Sequence, residues 1–448
     1  MTKYKTSQFN YILSNGSDEL RLYNSLKGKN SLLIIKNDKI KKFYRIQENC
    51  NLDEWEKDED FLKLKKLGYF VESETDELML ANLKKNDVIN YPGLVLTIMP
   101  TEDCNFRCQY CYEDHKKGKM SKKVQDSIVK FVRKNINNYT ALNIGWFGGE
   151  PLEALDVVEN ISRRLIQVCK VARKPYAAGM TTNGYDLTLD TFIKLLNLKI
   201  YEYQITIDGL KSTHDKYRYL KDFSGSFDRI IENIKEISSI KQNRFKVVIR
   251  TNFTKDIINN IKEYLEFCEK LFGSDDRFSL SAHLVENWGG ESIDKLEDQL
   301  VGGNNYGNLI KKILQIKPKI SFESHLIDLD SYNAKCYAAL RNSYVIGSDG
   351  LVYKCTEDFN LPENCIGYLS DEGDLVIDQS KNAKWVDMES LKEEKCSYCV
   401  YRGCCLDGPC PKVKILAEKE KGYNSCPRTK HSIHDIMMLI NERFYEIL

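Results

Sequence analysis

The sequence predicts an α/β chain built around a partial (β/α)6 TIM-like barrel, with a small domain before it and a cysteine-rich domain after it. Two observations predict this. Six apolar runs of strand length alternate with amphipathic helical stretches between residues 91 and 325, and the cysteines gather in two places: a triplet at Cys104, Cys108 and Cys111, and a series from Cys336 onward. Strand–helix alternation produces a parallel sheet covered by helices, and the barrel form of that sheet carries its active site at the C-terminal ends of the strands.

Taken in order, residues 1–90 begin with three extended runs, "FNYILSNG", "ELRLYNSL" and "NSLLIIKND", separated by Asn-Gly and Lys-Gly turn signals. "LDEWEKDEDFLKLKKLGYFV" then spaces Trp55, Phe61, Leu64 and Leu67 close to a helical period, and "NYPG" closes the domain. From residue 91, "LVLTIMPT", "LNIGWFG", "YAAGMTTNG", "YEYQITIDG", "KVVIRTNF" and "RFSLSAHLVE" are the six strands. Helices such as "SKKVQDSIVKFVRKNI", "LDVVENISRRLIQVCKVA" and "FDRIIENIKEISSI" lie between them. Residues 326–448 lose this alternation, and without a long apolar pattern their order must come from metal centres.

Composition narrows the function classes. Lys and Arg total 66 against 65 Asp and Glu, so no global field favours nucleic acid or an acidic membrane surface. The first residues contain no apolar signal core, and no run reaches the roughly 18 to 20 residues that cross a bilayer. A soluble cytoplasmic protein is the expectation. Reducing conditions there disfavour disulfides, which leaves metal ligation as the role for most of the 15 cysteines. Cys50, Cys169 and Cys268 stand apart from both groups and have the character of small buried hydrophobes.

Structural zinc closes with four ligands, commonly as two pairs, whereas "CNFRCQYC" offers an unpaired triplet. Three thiolates on one tight loop hold three corners of an iron–sulfur cube and leave one iron open. A zinc site completed from a remote residue, or unrelated buried cysteines, are the alternatives. The C-x3-C-x2-C spacing, with Tyr110 and Tyr112 beside its last cysteine and a strand before it, resembles the radical S-adenosylmethionine superfamily. The resemblance implies a [4Fe-4S] cluster on Cys104, Cys108 and Cys111. Its open iron chelates the amino and carboxylate groups of S-adenosyl-L-methionine. One-electron cleavage of the cofactor then yields a 5'-deoxyadenosyl radical that abstracts a hydrogen atom.

Further residues fall at the expected strand ends. "FGGEP" is similar to the family's stretch that binds the cofactor's amino group, with Gly148 and Gly149 permitting close approach and Glu150 accepting from an ammonium. By the same resemblance Thr182 and Asn183 reach the ribose, and Tyr110, Gln204, Asp208, Arg250 and Asn252 complete the cofactor contacts. An Arg within an apolar strand needs an anion. For Arg250 that anion is the cofactor carboxylate or, alternatively, a carboxylate across the barrel.

The C-terminal cysteines are similar in spacing to the SPASM extension of this superfamily, which implies two auxiliary [4Fe-4S] clusters and three in all. By position, Cys396, Cys399, Cys405 and Cys426 hold one, and Cys336, Cys355 and Cys410 hold the other. Four residues separate Cys405 from Cys410, one more than in the family pattern, and Cys404 adjoins Cys405, so either could be the ligand. The fourth ligand of the second cluster is left open, with Cys365 as one option.

Hairpins followed by helices in residues 1–90 resemble the winged-helix-like peptide-recognition element of maturases acting on ribosomally made peptides. Such an element takes a leader peptide as an added strand on a sheet edge. The resemblance therefore implies a maturase forming an oxidative crosslink, first a thioether and otherwise a carbon–carbon or ether link. Its partners would be a precursor peptide, bound through its leader, and a one-electron reductant such as flavodoxin or ferredoxin. A formylglycine-forming sulfatase-maturating enzyme is the second reading. An iron–sulfur electron carrier or zinc-organised binding protein is the third.

Overall fold

Gly16, at φ 79°, turns β2 (Asn10–Ser14) back onto β3 (Glu19–Asn24), and β4 (Leu33–Lys36) continues the antiparallel sheet. β1 (Tyr4–Thr6) pairs apart from it with β5 (Phe70–Glu72). α1 (Asp38–Glu48) and α2 (Glu59–Lys66) lie between β4 and β5, and α3 (Glu77–Ile89) follows β5. The helix predicted over "LDEWEKDEDFLKLKKLGYFV" shrinks to α2. Asp58 starts it by accepting from the backbone N–H groups of Asp60 and Phe61, and Gly68, at φ 90°, ends it and turns the chain into β5. Trp55, Phe61, Leu64 and Leu67 nevertheless share one buried cluster with Leu33, Ile35 and Phe43, as their spacing predicts.

The computed structural model describes residues 4–50, 53–113, 115–285, 293–301, 305–316, 318–322, 329, 336–386, 394–406, 408, 410–419, 433–440 and 442–448. These form two compact units. Met1–Asn90 joins with Phe322–Ala339 and Met388–Leu448 in one, and Tyr91–Ser321 joins with Leu340–Asp387 in the other.

In the second unit all six predicted strands are present: β6 (Leu94–Ile98), β7 (Leu142–Trp146), β8 (Tyr176–Thr182), β9 (Ile200–Thr206), β10 (Lys246–Phe253) and β11 (Phe278–Leu284). They lie side by side in chain order, every neighbour pair parallel. The connections include α4 (Lys122–Asn135), α5 (Leu155–Ala172), α6 (Leu189–Asn197), α7 (Lys211–Tyr217) and α8 (Phe227–Ser238). Ser121 and Thr188 cap α4 and α6 through their hydroxyls. Burial alternates along β6 and β7: Leu94, Leu96, Ile98, Leu142, Ile144 and Trp146 are buried, and the residues between them are only half-buried.

The cysteine-rich tail departs from expectation by dividing between the units. β12 (Ser343–Ile346) adds parallel to β6, and β13 (Leu351–Tyr353), β14 (Cys365–Leu369) and β15 (Leu375–Ile377) extend the sheet as an antiparallel meander. β16 (Glu446–Ile447) instead pairs parallel to β4 in the first unit. Ile433, Ile436, Met437 and Ile440 pack there with Leu13, Tyr23 and Ile34, so part of the tail has the apolar core that its sequence seemed to lack.

Candidate active site

The triplet loop leaves the end of β6 and is strapped to the segment after α7. Arg107 and Gln109 donate their backbone N–H groups to Tyr219 O and Tyr217 O at 2.8 and 3.0 Å, and Lys221 N returns to Asn105 O at 3.0 Å. Within the loop, Phe106 N donates to Cys104 Sγ at 3.4 Å, and the Arg107 guanidinium donates to the carbonyls of Cys104 and Phe106. Cys104 is buried, and Cys108 and Cys111 are half-buried. Burial raises all three thiols, Cys111 to about 12, with the neighbouring Cys108 adding to the rise at Cys104 and Cys111. Thiols so reluctant to ionise become thiolates when a metal displaces their protons. His115 also lies beside the triplet: its Nδ1 bonds Glu102 O at 2.9 Å and its Nε2 stands 3.7 Å from Cys111 Sγ.

The glycines of "FGGEP" act on the chain itself. A Cβ on Gly148, at φ 117°, would lie 2.3 Å from Thr101 O, and one on Gly149 would lie 2.3 Å from Asp103 O. Their absence lets Gly149 N and Glu150 N donate to Thr101 O and Asp103 O at 3.3 and 2.9 Å, which fixes the entry to the triplet loop. Glu150 is buried, and its carboxylate accepts from Leu152 N at 3.0 Å, Thr182 Oγ1 at 2.7 Å and Asn183 N at 2.7 Å. Burial raises its pKa to about 7 against those donors. It therefore joins the second and third strand ends and does not line the cavity. Asn183 in turn donates to Asn105 Oδ1 at 2.7 Å, tying the third strand end to the triplet loop.

A cavity of about 190 Å³ opens over these elements. It brings together Cys104, Cys108, Cys111, Tyr110, Gly148, Gly149, Thr182, Asn183, Gln204, Arg250 and Asn252. Among the predicted cofactor contacts, Glu150 and Asp208 are the two outside its lining. Asp208 is buried behind Tyr110, accepting from the Tyr110 hydroxyl and, at 2.7 Å, from Asn252 N. Its backbone N–H donates to His214 Nδ1 at 3.1 Å, which leaves the His214 proton on Nε2 facing Ser226 Oγ at 3.1 Å.

Sequence reasoning missed Arg218. It is buried, lines the cavity, donates from Nη1 to Tyr110 OH at 2.7 Å and sits over the Phe106 ring at 5.6 Å. Its Nε is buried with no partner among the described residues. Arg250 donates Nε to Asn252 Oδ1 at 2.9 Å and forms no ion pair among the described residues, so the cross-barrel salt bridge is not seen. Glu113 also lines the cavity, with Oε2 buried and unpartnered, and burial followed by the charges of Glu102 and Glu150 raises it to about 8. Three thiols, a glycine-held loop and a buried guanidinium with a spare donor form a donor set that suits an iron–sulfur cluster and a zwitterionic ligand.

In the first unit, Cys404 is fully buried in the apolar cluster with Tyr23 and Ile436, and its thiol donates to Tyr401 O at 3.3 Å. Cys405 is half-buried, and its sulfur accepts from Gly408 N at 3.2 Å. Cys336, Cys396, Cys399 and Cys410 are half-buried. In the second unit Cys355 is buried, its sulfur accepting from Glu357 N at 3.4 Å, and Cys365 opens β14. Cys426 lies outside the described residues.

The Radical SAM superfamily model matches residues 98–268. The cysteine-type anaerobic sulfatase-maturating enzyme of Clostridium novyi (strain NT) is 24% identical over 353 residues, covering 70% of this chain and 87% of that enzyme. The structure of anSMEcpe with bound AdoMet superposes with a TM-score of 0.60 over 79% of this chain and 98% of that one, at 19% identity. Streptococcus suis SuiB bound to precursor peptide SuiA superposes at 0.53 over 95% of this chain and 99% of that one, at 17% identity. Residues 98–268, with the cysteine triplet at the end of β6, are a radical SAM domain, a family that implies a [4Fe-4S] cluster and S-adenosylmethionine.

Proposed function

We propose that the protein is a peptide maturase that installs an oxidative crosslink in a ribosomally made precursor, a thioether in the first instance and otherwise a carbon–carbon or ether link. The observation that carries this reading is the sheet-and-helix element of residues 4–89 ahead of the radical SAM domain. The fold likeness to SuiB, which was crystallised with a precursor peptide, runs over 95% of the chain and supports it. A strand edge in that element would take the leader of the precursor. A cytoplasmic flavodoxin or ferredoxin would supply the reducing electron.

Cys104, Cys108 and Cys111 would hold the cluster. When bound, the cluster and S-adenosylmethionine supply hydrogen-atom abstraction from an unactivated C–H. The chain's own residues bind and exclude. Arg218, which is buried and leaves Nε unengaged among the described residues, is a better partner for the cofactor carboxylate than the half-buried Arg250. Tyr110, Gln204, Thr182, Asn183 and Asn252 offer polar edges to the rest of the cofactor. Leu284 and Val285 give the cavity an apolar margin that keeps water from a carbon radical. Cys336, Cys355 and Cys410 would hold one auxiliary cluster and Cys396, Cys399, Cys405 and Cys426 another, groups that would supply one-electron acceptors. The backbone N–H aimed at Cys405, against the apolar burial of Cys404, supports Cys405 as the ligand.

Formylglycine formation is the second reading, favoured by the coverage of the Clostridium novyi relative. Mass spectrometry of a cysteine-containing peptide encoded beside the gene, after anaerobic turnover, separates the two. Loss of two hydrogens with sulfur retained marks a crosslink. Exchange of sulfur for oxygen together with loss of two hydrogens marks formylglycine and overturns the first reading.

A further inference from the structure

We propose that residues Glu446–Leu448 act as an internal competitor on the outer edge of β4, the strand edge at which the precursor peptide would have to dock. The proposal rests on the peptide-maturase reading and deepens it by naming the edge and what holds it. Of the two edges of the β2–β3–β4 sheet, this is the one that already receives a strand. Glu446 N donates to Leu32 O and Leu448 N to Ile34 O, both at 2.9 Å. Lys63 on α2 borders the same groove: its Nζ donates to Ile447 O at 2.8 Å and pairs with Glu446 at 3.3 Å. The Leu448 side chain packs, partly buried, against the cluster that contains Leu33, Phe61 and Leu64.

This arrangement has the parts of a strand-addition site: main-chain acceptors along the edge, a cation to the side and an apolar socket. Its present occupant is weakly held. β16 is two residues long, Ile447 is 59% exposed, and the ion pair with Lys63 lies at the surface. Two main-chain hydrogen bonds and a solvated ion pair contribute modestly. The segment nevertheless competes well because it is tethered, with an effective concentration on the order of millimolar. The recognised chemistry is an extended peptide with an acidic residue followed two positions later by an aliphatic one. Such a peptide must displace Glu446–Leu448, so the edge opens to a partner that binds more strongly than the tether allows.

The test titrates a fluorescein-labelled peptide of residues 442–448, ERFYEIL, against the full chain by fluorescence anisotropy. The Glu446→Pro/Leu448→Pro variant removes both main-chain donors and is expected to bind the peptide at least about tenfold more tightly than wild type. Adding Lys63→Glu to that variant is expected to reverse the gain. Equal affinity in wild type and the proline variant, or no effect of Lys63→Glu, overturns the proposal. Leu448→Asp keeps both donors and removes only the apolar anchor; it carries the test where the proline pair fails to fold, with a smaller gain expected and no gain counting against the proposal. Crosslinked product is measured in the same preparations. Product without edge binding sinks the edge and leaves the maturase reading, whereas edge binding without product does the reverse.

Discussion

Arg218 donates to the hydroxyl of Tyr110 at 2.7 Å, and that hydroxyl in turn donates to Asp208, so one buried network joins the triplet loop, the end of β9 and the segment after α7. Arg218 lines the cavity, and its buried Nε has no hydrogen-bond partner among the described residues.

From that free donor it follows that Arg218→Met weakens S-adenosylmethionine binding more than Arg250→Met does. Loss of a buried charged hydrogen bond costs about 2 kcal/mol or more, or roughly thirtyfold in affinity. Equilibrium dialysis of anaerobic protein measures both variants. A larger loss for Arg250→Met would return the carboxylate to the β10 side of the cavity.

Gly149→Ala places a Cβ 2.3 Å from Asp103 O, with Glu102 O at 2.5 Å, and neither backbone carbonyl can yield cheaply. Destabilisation by more than about 2 kcal/mol is expected, together with reduced iron loading, because the displaced segment leads into Cys104. Gly16→Ala is the control. It sits at φ 79°, a conformation Gly149 does not share, but nothing lies within 4 Å of the added Cβ, so only the backbone cost of about 1 kcal/mol applies. Thermal melts and iron per chain compare the two.

Glu150 supplies a pH dependence whose sign can be worked out. Its folded pKa is about 7, above the ordinary 4.5, so the native state holds the proton more tightly than the unfolded chain. The stability it contributes is fully present below pH 4.5 and is lost as pH rises through 7. Glu150→Gln removes that slope from denaturant-unfolding curves. It also sets an amide N–H₂ against the N–H and O–H donors of Leu152, Thr182 and Asn183, so the variant is less stable by about 1–3 kcal/mol. An unchanged slope would contradict this assignment.

The adjacent thiols of the tail part in the same way. Cys404→Ala should retain wild-type iron and lose about 1–2 kcal/mol of stability from its apolar site. Cys405→Ala should lose about four irons per chain. Iron and sulfide determination on both variants decides between them, and iron loss from Cys404→Ala would reverse the assignment.

Local patterns carried much of this architecture in the sequence. Strand–helix alternation exposed all six parallel strands, and the spacing of Cys104, Cys108 and Cys111 exposed the loop after the first. What escaped lies far apart in the chain. Arg218 sits beyond a seven-residue helix, where no periodicity marks a residue as facing the cavity. Glu150 has the residue type of an ammonium acceptor, yet its oxygens are taken by donors as distant as Asn183, a choice that only packing reveals. The tail appeared to be one domain because cysteines and turns dominate it, whereas β12 and β16 each complete a sheet begun hundreds of residues earlier.

The most direct measurement is iron content per chain after anaerobic reconstitution, read alongside 5'-deoxyadenosine released with dithionite and S-adenosylmethionine, in wild type, His115→Ala and the triple Cys104→Ala/Cys108→Ala/Cys111→Ala variant. About twelve irons are expected in wild type and in His115→Ala, falling to about eight in the triple variant with 5'-deoxyadenosine release abolished. Zinc in place of iron, lost with His115 as well as with the cysteines, or a wild type that releases no 5'-deoxyadenosine, would contradict the account.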